Sequence, residues 1–530
     1  MSAFRFRLLT LCLGLSIAGA QGGEIKFHDV TEKVGLREPL VGLLGHGGAW
    51  GDVNGDGYID LLVGAFSDRP NEVYAPADGP LTTQWFLNRE GKRFEAVFDT
   101  PVRFFARNNG GLFVDLDNDG DLELYAANNA KQSTRRTTEP QRTAQQAHSQ
   151  LFRNDDGQFV DVSDESGVCP KTLFTARNIG ALDYNRDGLL DLLVVEDIFR
   201  KGTSSTRLFR NLGDLKFEDV TFEAGLPEDI YGLGLAVADV NADGLTDFFV
   251  PHSNRLFLAK EEGRFRECDE LADVFAWEPL NNEDWPCGAH FADLNRDGLL
   301  DLVLSIHSEV ARNRVFINEG IEDGVPQLRD RSKEVGIPEI IPARCSHVEV
   351  QDFDNDGWPD IFLSAAWFDE DGSIKPLIFR HEGFTREGLP RFSQSREISS
   401  GMVHFAAAPT VDFDNDGRLD IFYVNWDRDN WSRLQRNETE GGNWLQVRAE
   451  GRTFNRMGLG TKFTLRKDGK RIGYQESTIG FGYASGQANW LHFGLGEHEE
   501  VELEIEFPNK KRLKQTVNAG QRLVFSEPET

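Results

Sequence analysis

The chain has 530 residues, with 57 Lys and Arg against 87 Asp and Glu and a formal net charge of −30. Such acidity excludes nucleic acid and anionic membrane surfaces as main partners, because phosphate groups would repel the chain. The length suits about two to four ordinary domains, or one long repeat array followed by a module.

At the N-terminus, Arg5 and Arg7 precede an apolar run from Leu8 to Ile17, and Ala18-Gly19-Ala20 supplies the small residues of a cleavage site. The run is too short to span a bilayer comfortably. Residues 1–20 are therefore expected to be a cleavable signal peptide. The mature protein is expected to be secreted, periplasmic or on the cell surface, with no transmembrane segment. Cleavage would leave Cys169, Cys268, Cys287 and Cys345. Their spacing suits neither a zinc site nor a disulfide-dense small domain.

The stretch DVNGDGYIDLLVG from Asp52 recurs from Asp115, Asp183, Asp239, Asp293, Asp352 and Asp412. Seven copies over the 360 residues from Asp52 to Asp412 are spaced by 60 on average. A second element keeps the same beat, as FHDVTEKVGL from Phe27 and FEDVTFEAGL from Phe217. A third, such as QWFLN, QLFRN, RLFRN or RVFIN, reads as a strand ending in an Asn turn. Each unit thus offers four short β segments, the composition of a propeller blade. An F-x-D-V segment stands before the first loop and none follows RLQRN at 433–437, so the N-terminal strand is expected to complete the seventh blade. The expected fold is all-β: a seven-bladed β-propeller with four-stranded blades over 21–440, then a small β-sandwich-like domain over 441–530.

Numbered from its first Asp, each loop carries oxygen side chains at positions 1, 3, 5 and 9 and Gly at position 6. Loops 1 and 2 present Asp52, Asn54, Asp56 and Asp60, then Asp115, Asp117, Asp119 and Glu123. Loops 3 and 4 present Asp183, Asn185, Asp187 and Asp191, then Asp239, Asn241, Asp243 and Asp247. Loop 5 has Asp293, Asn295, Asp297 and Asp301; loop 6 has Asp352, Asp354, Asp356 and Asp360; loop 7 has Asp412, Asp414, Asp416 and Asp420. Alternate positions of a tight loop turn inward, and a hard cation such as Ca²⁺ takes about six to eight oxygens. Up to seven structural Ca²⁺ ions are expected. An EF-hand is excluded, because it needs a Glu at its twelfth position and a helix on either side, whereas here a β-type run follows at once. Loop 2 departs from the rest, with Asp121 at position 7 and the longer Glu123 at position 9.

The pattern D-x-[DN]-x-D-G-x-x-D followed by an apolar strand resembles the FG-GAP/VCBS repeat of integrin α-subunit propellers and many exported bacterial proteins. The resemblance implies that the calcium loops share one face, stiffen the hairpin of each blade, and lie away from the ligand-binding face. After Gly442 the repeat stops. NWLQVRAEG, GTKFTLRKDGKRIGYQE, NWLHFGLGE and VELEIEFPNKKRLKQTV alternate like strands, with Asp468-Gly469 at a hairpin. Here NRMGLGTKFTL and GFGYASGQANWLHFGLGE resemble the ASPIC/UnbV module that follows FG-GAP repeats in the cartilage acidic protein family.

In this blade plan, residues just ahead of each innermost strand ring the face opposite the metals. His46, Asn109, Arg177, Arg344, His347 and His404 are the ligand-face candidates, with Asn108, Tyr231 and Trp285 beside them. Trp367, Trp426 and Trp431 fall in the long connections of later blades. Polar groups beside aromatic ones suit a sugar or a peptide; the same residues would also serve to cap strands and close a channel. Arg135, Arg136 and Arg142 read as a solvated loop or a contact for an acidic partner. Cys287 and Cys345 precede their loop Asp by six and seven residues in adjacent units, so they are either a disulfide or two buried thiols. The expected function is an exported, calcium-binding module that binds or adheres to an extracellular protein or carbohydrate. The competing reading is a lyase-like, carbohydrate-processing enzyme using His and Arg in the channel. The chain has no G-x-S-x-G, H-E-x-x-H or P-loop motif to name a catalytic residue.

Overall fold

The computed structural model describes residues 24–67, 81–129, 143, 147–171, 175–197, 205–369, 372–394, 396–398, 401–427 and 430–529. The signal peptide expected at 1–20 and the segment with Arg135, Arg136 and Arg142 lie outside these residues.

Each acidic loop is the bend of an antiparallel hairpin. In sheet 1 it joins Gly45–Gly51 to Asp60–Ala65, followed in chain order by Gln84–Arg89 and Arg93–Ala96. Both hairpin strands are buried along their whole length, which explains why LLVGA is a continuous apolar run rather than an alternating one. The outermost strand alternates instead, and only Phe94 of Arg93–Ala96 turns inward. Sheets 2 to 6 repeat this plan from first strands Asn108–Val114, Ala176–Leu182, Ala236–Ala238, Trp285–Ala292 and Val348–Gln351. Sheet 7 comprises Thr410–Val411, Asp420–Tyr423 and Arg433–Asn437, and takes its fourth strand, Phe27–Asp29, from the N-terminal end. There Phe27 lies opposite Asn437 and Asp29 opposite Gln435.

The apolar cores lie between consecutive sheets. Trp50 of sheet 1 packs edge-on against Phe422 of sheet 7 at 5.8 Å, and its indole N–H donates to the Pro409 carbonyl at 3.2 Å. Burying an aromatic of this size contributes about 1.5–3 kcal/mol, and the indole N–H is satisfied as burial requires.

A second bond crosses between sheets at the Asn that ends each third strand. The Asn88 amide donates to Ile59 O of its own loop and to Phe413 O of loop 7. Asn154, Asn211, Asn318 and Asn437 likewise reach the position-2 carbonyls of Val53, Leu116, Val240 and Phe353 in neighbouring loops. The sequence pattern marks this Asn as a local turn; in the fold it is also a tie between sheets. Ala259 and His381 occupy the equivalent places in sheets 4 and 6.

After sheet 7, Asn443–Glu450 pairs antiparallel with Leu491–Gly496 and parallel with Gln521–Ser526. A second sheet holds Lys470–Glu476, Lys462–Lys467, Glu500–Glu506 and Arg512–Asn518 in that order. Leu445, Val447, Phe463, Phe493, Leu503 and Phe525 share one core between these two sheets. All four cysteines of the described residues are buried and unpaired, so Cys287 and Cys345 stand as two thiols. Among the described residues no helix is long and apolar enough to cross a membrane.

Candidate functional site

The seven acidic loops fold alike because they close the same hydrogen bonds. The Gly at position 6 donates its N–H to Oδ2 of the first Asp in every loop, from Gly57 to Asp52 through Gly417 to Asp412. The N–H of position 7 donates to Oδ1 of position 5, as from Tyr58 to Asp56 and from Trp358 to Asp356. Position 9 braces the hairpin: Asp60 accepts the Val53 N–H on Oδ2 and the Asn88 N–H on Oδ1. Asp191, Asp301, Asp360 and Asp420 repeat this bridge, as does Asp247 to Val240 and Ala259. Glu123 does so with its longer chain, accepting from Leu116 at 2.9 Å and from Asn154 at 3.5 Å. Each carboxylate oxygen keeps a further lone pair, so this bracing and metal ligation are compatible.

The loops divide by position 3. Where it is Asn, in loops 1, 3, 4 and 5, its amide donates to Oδ2 of the Asp at position 5. Where it is Asp, three acidic groups converge. Oxygens of Asp115, Asp117 and Glu123, of Asp352, Asp354 and Asp356, and of Asp412, Asp414 and Asp420 lie within 4.8 Å of one another. In loop 6 the Arg380 guanidinium lies 2.7 Å from Asp354, and in loop 7 Arg436 lies 2.9 Å from Asp414.

These carboxylates are held in an electrostatically unfavourable place. Burial pushes Asp60 and Asp191 up to about 8, Asp115 and Asp412 up to about 7, and Glu123 up to about 9. Neighbouring loop carboxylates push the same way, while the backbone N–H donors oppose it. The oxygens Asp52 Oδ1, Asp115 Oδ1, Asp352 Oδ1 and Asp414 Oδ1 are buried with no hydrogen-bond partner. A buried acceptor left unmade is costly, and clustered orphan oxygens fit a hard divalent cation, which takes oxygen ligands and cancels the repulsion.

The C-terminal sheets rest on these loops. The Arg522 guanidinium donates to Gly57 O of loop 1 at 3.1 Å, and the Arg456 N–H donates to Asn118 Oδ1 of loop 2 at 2.8 Å. His492 Nε2 lies 2.7 Å from Asn355 Oδ1 of loop 6, and the Gln446 amide donates to Asp412 Oδ2 of loop 7 at 2.8 Å. Lys462 pairs with Asp239 of loop 4.

From this platform the segment 478–490 runs in among the first strands. The Gly482 N–H is shared between Leu235 O and Ala289 O, at 2.9 and 2.8 Å. Ser485–Gly486 pairs in parallel with Gly48 and Ala49 of sheet 1, and the Asn178 amide donates to Gly480 O at 3.0 Å. The Phe481 ring stacks on His290 at 3.8 Å. Gly482 has φ +78°, and a Cβ there would lie 2.4 Å from the His347 ring. Nothing in the strand or turn pattern of this stretch marks it as an insert; its closely spaced glycines are the only sequence signal.

The six ligand-face candidates separate into two groups around this segment. His347 is fully buried: its Nδ1 accepts the Tyr483 N–H at 3.0 Å, which leaves the proton on Nε2, 3.1 Å from Glu349 Oε1. His46 stacks on Phe66 at 4.5 Å, meets Trp426 edge-on at 4.9 Å, and lies 3.3 Å from the Tyr483 hydroxyl. Arg177 is buried and donates through Nε and Nη2 to Asp197 Oδ2 at 2.9 and 2.6 Å, and through Nη1 to Asn109 Oδ1 at 3.2 Å. These four residues are packed beneath Tyr483 or paired beside it. Arg344 and His404 form the second group. Arg344 is 30% exposed and holds Glu283 at 2.7 Å and Glu309 at 3.1 Å. His404 Nε2 lies 3.0 Å from Ser346 Oγ, and His307 meets its ring edge-on while stacking on Trp285. Burial lowers His307 to about 4 and His404 well below its ordinary value, so both imidazoles are neutral at pH 7.

Comparison with known proteins agrees with the repeat plan. The FG-GAP-like repeat family matches residues 52–126, 183–250 and 293–363, and the ASPIC and UnbV family matches residues 451–530. The chain is 24% identical over 514 residues to cartilage acidic protein 1 of Homo sapiens, covering 90% of this chain and 71% of that protein. It is also 24% identical to the Mus musculus and Xenopus tropicalis proteins of that name, over 502 and 540 residues. These alignments cover 89% and 95% of this chain and 72% and 76% of those proteins.

Proposed function

We propose, on the premise of a chain that carries FG-GAP-like repeats followed by an ASPIC and UnbV domain, that this is an exported, calcium-stiffened β-propeller that binds an extracellular protein or carbohydrate. Its seven sheets, each built on four antiparallel strands, are the blades, over 21–440, and the N-terminal strand closes the ring. Residues 441–530 form a second domain on the metal face. Calcium sits in the acidic loops in a structural role.

The observation that carries this reading is the sevenfold repetition of one loop with the same hydrogen-bond cage, and with a buried first-position carboxylate oxygen left without a partner in loops 1, 2 and 6. Binding rather than turnover is favoured by how the channel residues are used. Arg177 is engaged by Asp197 and His347 by Glu349 and the Tyr483 backbone, so neither is free to act as an acid or base. The ligand surface is the face carrying Arg344 and His404, where charged and aromatic groups reach solvent together.

The test has two arms, both with full-length protein. Calcium added to chelator-treated protein should bind saturably and raise the melting temperature; no heat and no shift would sink the metal reading. On arrays of glycans and extracellular proteins with calcium present, Arg344→Ala should weaken capture about tenfold, roughly 1.4 kcal/mol, at an unchanged melt. Equal capture by the variant would remove this face as the ligand site.

A further inference from the structure

The fourth acidic loop differs from the others in what meets its first carboxylate. Asp239 Oδ1 accepts the Asp243 N–H at 3.0 Å, and Oδ2 accepts the Gly244 N–H at 2.6 Å together with the Lys462 ammonium. That ammonium comes from the C-terminal sheets, 223 residues along the chain. Its side chain is 16% exposed and that of Asp239 3%, so solvent screens the pair little. Glu476, itself buried, lies beside the pair and accepts the Asp239 N–H on both oxygens. In loops 1, 2 and 6, by contrast, the first Asp keeps a buried oxygen with no partner at all. Among the described residues, no other first-position Asp is ion-paired to a lysine or arginine.

We propose that Lys462 takes the place of calcium at the fourth loop. While the C-terminal domain is seated, Asp239 is neutralised by the ammonium, and the loop anchors that domain instead of holding an ion. The physical reason is charge. A divalent cation at Asp239 would lie within a few ångströms of a fixed positive charge in a poorly screened site, and repulsion there is strong. The domain would thereby be tied to the ring by one ion pair whose acidic half every other loop commits to metal. This inference rests on the calcium reading of the remaining loops.

Calcium per chain, measured by equilibrium dialysis and elemental analysis on the full-length protein, tests it. Lys462→Gln, which stays polar and removes the charge, should bind one more Ca²⁺ than the parent, and Lys462→Arg should bind no more. Should the Gln variant fail to fold, a second pair decides: Asp239→Asn should leave the calcium count unchanged, while Asp115→Asn should lower it by one. An equal, non-zero count in parent and Lys462→Gln, or a loss of one ion in Asp239→Asn, would overturn the proposal alone. No calcium in any of them would overturn the calcium reading and this inference with it.

Discussion

Position 4 of every acidic loop lies in the left-handed region, with φ between 55° and 66° from Gly55 through Asn118, Arg186, Ala242, Arg296, Asn355 and Asn415. Asn and Gly enter that region readily, whereas a Cβ-bearing residue without a local hydrogen bond is strained by about 1–2 kcal/mol. Loop 4 carries Ala242 there. Ala242→Asn should therefore raise stability by about 0.5–1 kcal/mol without the unfolded-state cost of Gly, seen as a higher denaturant midpoint at unchanged slope; no change would mean that the loop relaxes around Ala. The buried carboxylates make a prediction of opposite kind. A carboxyl raised from 3.8 to about 8, as in Asp60 and Asp191, holds its proton more firmly folded than unfolded. Its contribution is fully present below the unfolded value and is lost as pH rises through the folded one. Calcium-free protein should thus melt lower at pH 9 than at pH 5. Calcium binding at pH 7 should release protons, measurable with an indicator in weak buffer, and a flat melt together with no release would contradict the burial of these groups.

Tying strands together is where the sequence and the folded chain part company. The strands were legible, because β-branched and aromatic runs between Asp-Gly turns leave few alternatives. So was the first carboxylate of each loop, whose spacing repeats seven times. The reach of Asn88 to Phe413 O was not legible, since a turn Asn and a tie between sheets look identical along the chain and differ only in which carbonyl the fold brings near. The same holds for position 9, whose second task is to brace the third strand through the Asn88 N–H. Asn88→Ala would leave the carbonyls of Ile59 and Phe413 unpaired in a buried place and remove the acceptor that the Gly91 N–H uses. Each such loss costs about 1–3 kcal/mol, so a drop of about 2–4 kcal/mol is expected in denaturant unfolding. A cost below about 0.5 kcal/mol would show that this tie carries no load.

At the scale of the whole molecule, the C-terminal domain and the acidic loops depend on one another. Lysines and arginines such as Lys462, Arg456 and Arg522 look like ordinary solvated charges in the sequence, yet they land on loops 4, 2 and 1, which only the folded chain brings within reach of one domain. That complementarity is a property of two assembled surfaces, so neither strand patterning nor the loop motif announces it. On the calcium reading, ions that order the loops would also order the platform from which 478–490 extends. Occupancy of one site at about a hundredfold above its dissociation constant contributes about 2.7 kcal/mol, so a chelator should lower the melting temperature and loosen this segment together. Gly482→Ala separates the two effects. The added methyl meets the His347 ring at 2.4 Å in a backbone conformation that L residues rarely adopt. It should cost about 2–4 kcal/mol from strain and overpacking, with the acidic loops untouched. Limited proteolysis in saturating calcium should then cut the variant within 478–490 while sparing the parent, and the parent should become cleavable there only after chelation. If the variant resists cleavage and chelation exposes other segments first, the domain holds its insert in the ring without help from the loops.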